Sequence, residues 1–280
     1  MLKSIKDIQD LYYQKTKEAG QLARPRVLIN VCSHGNEILG LEIKKLFEDI
    51  TIVNGSLTFN VANPWAVAEG KRFVESDLNR SFPGSKTGTL EEKIAYQMMK
   101  FIPLFDYVFD IHSTKSGLKD CLIIENNLPE IKKIIPACHN AESVLYMKAT
   151  SGASIFSACH LANRIIPGLA FEYGDNSEAT AQRVYSDLVS ILNILGLTKQ
   201  NIVVLSDEKV ARQFECYKTF PKNPGDILAE DIKNYELVLK GDIVAYTSDK
   251  KPILAPEDFY PILFGEPNYI DIFGFMARKM

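Results

Sequence analysis

The sequence has no surplus of positive charge and no long apolar run. Its 280 residues carry 32 lysines and arginines against 35 aspartates and glutamates, a formal charge of −3. Proteins that bind nucleic acids or membrane surfaces through basic charge carry the opposite excess. No window is apolar enough to span a bilayer, and residues 1–20 contain Lys, Asp and Glu throughout, unlike a secretory signal. We therefore expect neither a nucleic-acid nor a membrane partner.

The sequence also lacks paired cysteines. Its five cysteines are odd in number and scattered, and no two of them form a CxxC pair. This usage is typical of reduced thiols rather than of a disulfide framework or a cysteine zinc site. We therefore expect a cytoplasmic protein. The cysteines are Cys32, Cys121, Cys138, Cys159 and Cys216.

The patterns that are present predict an α/β fold. With 46% hydrophobic residues, the chain can bury a substantial core. Short β-favouring runs alternate with helical patterns, which is typical of a mixed, mostly parallel sheet flanked by helices. The predicted strands are residues 26–33, 50–63 (one strand with a turn, or a pair), 106–112, 120–125 and 167–174. The predicted helices are residues 37–47, 89–102, 129–139 and 177–195.

Local signals mark the ends of the predicted helices and domains. Asn36 is expected to cap the helix over 37–47, and Thr89 with Glu92 forms a capping-box pattern. After about residue 200, short strand-like pieces are separated by Pro, Gly, Asn and Asp. We predict an α/β domain over residues 1–200, which begins with an amphipathic helix over 1–23, and a smaller β-rich domain over 201–280.

Only four histidines occur, and two of them follow predicted strands. Ligands bind at the carboxyl ends of parallel strands, which is where His34 and His112 lie. Together with Glu37 they would offer two imidazoles and one carboxylate to one ion and leave a position for water, the common arrangement of catalytic zinc. His139 and His160 lie in or near predicted helices, and we interpret them as surface or packing residues.

The segment "VCSHGNE" has a second interpretation. His34 could be an ordinary loop histidine, and Glu37 a favourable acid in the first turn of a helix. A four-residue pattern alone favours this simpler interpretation. The metal hypothesis therefore depends on residues elsewhere in the chain.

Two further segments supply such residues. "RFVESDLNRSF" contains Arg72, Asp77, Asn79 and Arg80, and two arginines with an amide form a set that binds carboxylates. The alternative interpretation of this segment is an ordinary solvated loop. Glu172 ends an apolar strand, where a buried carboxylate needs a partner or a purpose unless it is exposed to water. Each clue is modest alone, but together they favour a catalytic site.

The ordered set of motifs resembles the aspartoacylase and succinylglutamate desuccinylase family, zinc hydrolases related to the metallocarboxypeptidases. The resemblance runs from about Val27 to Asn176 and is strongest in "SHGNE", "DLNR" and "DIHST". "YPILFGEPNY" resembles the closing segment of the family. The resemblance implies a fold like that of the zinc carboxypeptidases, with a β-rich C-terminal extension.

The resemblance also implies the catalytic roles. His34, Glu37 and His112 match the ligands of a single Zn²⁺ ion. Arg72 matches an arginine that polarises the scissile carbonyl, and Glu172 matches the general base. The implied reaction is hydrolysis of the amide bond of a small-molecule N-acyl amino acid, which releases a carboxylic acid and a free amino acid.

The substrate contacts match the family only in part. Asn79 and Arg80 match the pair that holds a substrate carboxylate, and Tyr269 matches a tyrosine that reaches toward the substrate. Family members bind a second carboxylate with an arginine ahead of the general base. Here Arg164 is the nearest candidate but is out of register, and Lys115 is an alternative.

The sequence leaves several alternatives open. A metallocarboxypeptidase that acts on short peptides would use the same zinc set and Arg80. A binding protein that kept the fold is expected to have lost a zinc ligand or Glu172, and all of these residues are present. The acyl group, the amino acid and the oligomeric state also stay open, with a homo-oligomer among the alternatives.

Overall fold

Four strands form the parallel centre of the fold. They are β2 (Arg26–Val31), β3 (Ser56–Val61), β4 (Tyr107–Ser113) and β7 (Gly168–Tyr173), in the order β3-β2-β4-β7. Their residues are mostly buried, as expected of a parallel sheet that is covered on both faces. The computed structural model describes residues 13–16, 24–114, 120–147, 154–161, 165–200, 211–267 and 269–280.

Other strands extend this centre on both sides. β1 (Tyr13–Thr16) pairs antiparallel with β3. On the other side follow β5 (Cys121–Ile124), β6 (Ser143–Met147), β8 (Arg212–Pro221), β13 (Ile272–Lys279) and β12 (Tyr260–Ile262). The pairs β5/β6 and β6/β8 are parallel, whereas β5/β7, β8/β13 and β12/β13 are antiparallel. The predicted mixed, mostly parallel sheet is confirmed.

Helices cover both faces of the sheet. They are α1 (Leu39–Leu46), α2 (Pro64–Glu69), α3 (Leu90–Phe101), α4 (Pro129–Ile134), α5 (Ile155–Leu161) and α6 (Glu178–Ile194). Side chains alternate between the faces of β2: Val27 and Ile29 join one core cluster with α1 and α6, whereas Leu28 joins another with α3 and α5. The capping box of α3 is confirmed, because Thr89 and Glu92 bond each other reciprocally.

The C-terminal region is β-rich, as predicted. A separate antiparallel sheet contains β9 (Ile227–Leu228), β10 (Ile243–Tyr246) and β11 (Pro252–Leu254). The same region also contributes β8, β13 and β12 to the central sheet, so this sheet continues past residue 200. The division into domains at 1–200 and 201–280 stays a prediction.

The helix predicted over residues 1–23 is wrong for residues 13–16, which form β1. Tyr and Thr in the segment "YQKT" favour strands. Their pairing also satisfies backbone groups of β3, which would otherwise be unpaired at the sheet edge. The other residues of 1–23 lie outside the described residues.

Two further sequence-based expectations concern the thiols and the membrane. All five cysteines are free, as predicted, and all are buried. Within the described part of the chain, no helix is long and apolar enough to cross a membrane.

Gly35 lets the turn after β2 lie directly against α2. Its N–H donates to the carbonyl of Arg72 at 3.1 Å. A Cβ added at Gly35 would lie 2.0 Å from the carbonyl carbon of Ala66 and 2.3 Å from the nitrogen of Val67. These are backbone atoms, so the crowding cannot be relieved by a side-chain rotation.

We expect Gly35→Ala to lower the free energy of unfolding by about 3 kcal/mol, the upper end of the range for overpacking. Gly70→Ala is the matched control, because Gly70 has a φ of +63° but no atom within 4 Å of an added Cβ. It should cost only about 1 kcal/mol for the left-handed backbone. Urea denaturation measures both changes, and an equal loss in the two variants would contradict the crowding at Gly35.

Candidate metal and substrate site

Two neighbouring parallel strands bring the three predicted metal ligands together. His34 and Glu37 lie in the turn between β2 and α1, and His112 lies near the carboxyl end of β4. Because β2 and β4 are parallel, their carboxyl ends meet at one edge of the sheet. One ligand atom from each of the three side chains lies within 4.8 Å of the other two.

Glu37 is the centre of this cluster. His34 Nδ1 lies 2.7 Å from Glu37 Oε1, and His112 Nδ1 lies 2.9 Å from Glu37 Oε2. All three residues are buried. Burial would raise the pKa of Glu37, but the charges of both histidines and their hydrogen bonds hold it well below its usual range. Glu37 therefore stays an anion, and both imidazoles point Nδ1 toward it.

A second carboxylate stands behind each imidazole. His34 Nε2 lies 3.2 Å from Asp77 Oδ1, and His112 Nε2 lies 2.7 Å from Asp110 Oδ2. Asp110 is itself buried and accepts a hydrogen bond of 2.7 Å from Asn30 Nδ2. An imidazole that donates Nε2–H to a carboxylate keeps the lone pair of Nδ1 for a metal ion. Asp77 and Asp110 thus orient the Nδ1 atoms of the two imidazoles toward Glu37.

Sequence reasoning missed the role of Asp110. A signal was available, because Asp110 stands two residues before His112 in "DIH". Side chains two residues apart in a strand lie on the same face.

Arg72 lies between Asp77 and Glu37. Its Nε and Nη2 donate to Asp77 Oδ2 at 3.1 and 2.9 Å, and its Nη1 lies 3.4 Å from Glu37 Oε1. Burial would raise the pKa of Asp77, but the hydrogen bond with His34 and the charges of His34 and Arg72 lower it. The predicted arginine therefore reaches the carboxylates of the cluster.

Glu172 pairs with His112 in the register between β7 and β4. Burial raises the pKa of Glu172 to about 7, against the opposing charge of His112. A carboxylate in this environment is suited to taking and returning a proton near neutral pH.

The loop that carries Arg72 and Asp77 depends on Glu91 of α3. Glu91 is 0% exposed. Its carboxylate accepts hydrogen bonds from the backbone nitrogens of three consecutive loop residues, at 2.7 Å from Val74, 3.1 Å from Glu75 and 3.0 Å from Ser76. Burial would raise the pKa of Glu91, but these N–H groups lower it.

No sequence pattern indicates this role for Glu91, because an acid in the first turn of a helix is ordinary. Its partners lie 15 to 17 residues away.

Asn176 ties three segments of the site together. Its Oδ1 accepts from the backbone N–H of Leu39 at 3.1 Å and from Ser113 Oγ at 2.9 Å. Its Nδ2 donates to the carbonyl of Asn36 at 3.1 Å. The predicted capping by Asn36 is wrong, because α1 starts at Leu39 and its N-cap residue is Ile38. The side chain of Ile38 forms no capping hydrogen bond. Asn176, which follows β7, accepts the hydrogen bond from the first N–H group of the helix instead.

A cavity of about 570 Å³ extends from this cluster. Its lining includes His112, Glu172 and the three predicted substrate contacts Asn79, Arg80 and Tyr269. The Oδ1 atom of Asn79 is buried and has no hydrogen-bond partner among the described residues. Burial raises the pKa of Tyr269 well above its usual value, so it stays a neutral phenol. Lys115 and Arg164 lie outside the described residues.

The sequence is similar to a family of known proteins. A model of the succinylglutamate desuccinylase/aspartoacylase catalytic domain matches residues 23–198. A probable aspartoacylase of Trichodesmium erythraeum is 31% identical over 279 residues, covering 85% of this chain and 91% of that protein. An N-acyl-aromatic-L-amino acid amidohydrolase (carboxylate-forming) of Mus musculus is 25% identical over 274 residues, covering 87% of this chain and 78% of that protein.

The likeness extends to a solved structure. The crystal structure of murine aminoacylase 3 has a TM-score of 0.73 at 18% identity, covering 93% of this chain and 97% of that chain. At this identity the comparison shows that the fold is shared.

We expect Glu91→Ala to lower the free energy of unfolding by about 3 kcal/mol, because several buried N–H groups lose their acceptor. It should also weaken Zn²⁺ binding about tenfold, since Asp77 would no longer be held against His34. Glu91→Gln should show a smaller loss of stability, because one carbonyl oxygen remains.

Urea denaturation and chelator competition measure these effects, with the exposed Glu130→Ala as control. Unchanged stability and Zn²⁺ affinity in Glu91→Ala would contradict the role of Glu91 in the loop.

Proposed function

The chain belongs to the succinylglutamate desuccinylase/aspartoacylase family, and we propose that it is a zinc-dependent deacylase of N-acyl amino acids. It hydrolyses the amide bond and releases a carboxylic acid and a free amino acid. The observation that carries this proposal is the cluster of His34, Glu37 and His112, since His112 lines one cavity together with Glu172.

The donor set fits a zinc ion. His34 and His112, through Nδ1, and Glu37 would hold it, and two imidazoles with one carboxylate are typical ligands of catalytic zinc. Zinc held there supplies a Lewis acid that polarises the amide carbonyl and lowers the pKa of water. Asp77 and Asp110 keep the two imidazoles oriented for this task.

Glu172 is the general base of the proposed reaction. It takes a proton from the attacking water and later delivers it to the nitrogen of the leaving amine. Burial raises the pKa of Glu172, which favours its protonated form and supports delivery of the proton to the leaving amine. Arg72 stabilises the negative charge that develops on the carbonyl oxygen.

Arg80 and Asn79 hold the carboxylate of the amino acid. Arginine binds carboxylates with two parallel hydrogen bonds, which fixes the amide relative to the catalytic groups. Tyr269, as a neutral phenol, donates a further hydrogen bond to the substrate. All three residues line the cavity.

The cavity favours a small substrate over a peptide. Residues beyond position 211, among them Leu263, Tyr269 and Phe275, form part of its lining. They would limit access by a longer chain, which disfavours the metallocarboxypeptidase alternative. The free and buried cysteines support the expected cytoplasmic location.

The direct test is a panel of N-acyl amino acids that varies both halves, assayed beside short peptides for released amine. We expect hydrolysis of at least one N-acyl amino acid, its loss after chelation and its return with Zn²⁺. Elemental analysis should find one zinc per chain and a loss of zinc in His112→Ala, but not in the control His139→Ala. Cleavage of peptides alone, or full zinc in His112→Ala, would contradict the proposal.

We expect Glu172→Gln to lower kcat by about 100- to 10,000-fold, the usual contribution of a general base. Bound zinc should stay at the wild-type level, because the metal ligands are untouched. The exposed Glu178→Gln is the matched control for kcat. Near-normal turnover by Glu172→Gln with zinc bound would rule out this role.

A further inference from the structure

Glu125 is a buried acid on the wall of the cavity that the proposed reaction does not use. It directly follows Ile124, the last residue of β5. Glu125 and Ile123 both line the cavity. The side chain of Glu125 is only 8% exposed.

The described surroundings leave the charge of Glu125 unbalanced. Its Oε2 lies 3.5 Å from His160 Nε2. The same nitrogen lies 2.6 Å from Asn126 Nδ2, which can only donate, so His160 Nε2 accepts a hydrogen bond and has no proton for Glu125. Burial also lowers the pKa of His160, which keeps the ring neutral. No other described cation lies within ion-pair distance of Glu125.

Apolar side chains line the cavity together with this acid, and the charged Lys218 and Asp271 belong to the same lining. Ile123, Met147 and Phe156 line the same cavity. Burial raises the pKa of Glu125 to about 7. A ligand that suits these walls has an apolar stem and ends in a positive charge. A second carboxylate here would meet an acid in a desolvated site, which is unfavourable.

The position of Arg80 indicates which half of the substrate reaches Glu125. Asn79 and Arg80, the proposed carboxylate clamp, line this cavity, whereas Arg72 does not. The amino-acid half, which carries that carboxylate, would therefore occupy the cavity together with its side chain. The acyl half would extend toward Arg72.

We propose that Glu125 binds a cationic group at the end of the substrate's side chain, so that the preferred substrate is the N-acyl derivative of a diamino acid. This inference rests on the proposed deacylase function. The stem of the side chain packs against Ile123, Met147 and Phe156, and its ammonium group donates to the carboxylate of Glu125. The acidic amino acids in the names of the family are then poor substrates.

The test compares Nα-acetyl-L-ornithine and Nα-acetyl-L-lysine with N-acetyl-L-norleucine. Norleucine has the same length as ornithine but ends in a methyl group, so the ratio of kcat/KM isolates the charge. We expect wild type to favour ornithine or lysine by at least about tenfold, the scale of a hydrogen bond between charged groups. Glu125→Gln should lower that ratio about tenfold, whereas the exposed control Glu130→Gln should keep it.

Several results would overturn the inference. One is a preference of wild type for N-acetyl-L-aspartate or N-acetyl-L-phenylalanine, and another is an equal ratio in wild type and Glu125→Gln. Calorimetry with free ornithine and norleucine tests the same pair without turnover. If no N-acyl amino acid is cleaved, the deacylase function fails, but this binding measurement still decides the role of Glu125. Tighter binding of ornithine than of norleucine by wild type, but not by Glu125→Gln, supports that role. Equal binding of the two amino acids by wild type rejects it.

Discussion

The parallel pairing of β4 with β2 and β7 is the constraint on which the site depends. β4 lies between the other two strands, so one register fixes Asn30 opposite Asp110, and another fixes His112 opposite Glu172. A shift of one residue would turn these side chains to the opposite face of the sheet. The alternating apolar side chains of these strands fill the cores on both faces and so set the register. The same register therefore fixes the positions of the polar side chains at the carboxyl ends of the strands.

The electrostatics of the site follow from this placement. Glu37, Asp77 and Asp110 are gathered around two imidazoles, and Arg72 is the arginine that contacts the first two acids. Collecting acids in a poorly hydrated region is costly unless cations or hydrogen bonds compensate. The arrangement thus favours a divalent cation, whose charge would offset the excess of carboxylates.

Local sequence signals identified the residues that a short motif can place. His34, Glu37 and His112 are recognisable because each follows or ends an apolar strand, and the alternating pattern predicted the α/β class. The roles of Glu91 and Asn176 could not be read in this way, since most of their partners are backbone groups, up to 140 residues distant. The helix over 1–23 failed at residues 13–16 because pairing with β3 outweighed the helical pattern. The metal and substrate roles themselves stay predictions.

The continuation of the central sheet past residue 200 affects how the chain can be divided. β6 pairs with β5 on one side and with β8 on the other. A fragment cut at residue 198, where the family match ends, would leave β6 as an open edge with unpaired backbone groups. It would also lose Tyr269 and Phe275 from the wall of the cavity. Such a fragment would be prone to self-association, and the matched segment is therefore not a self-sufficient unit.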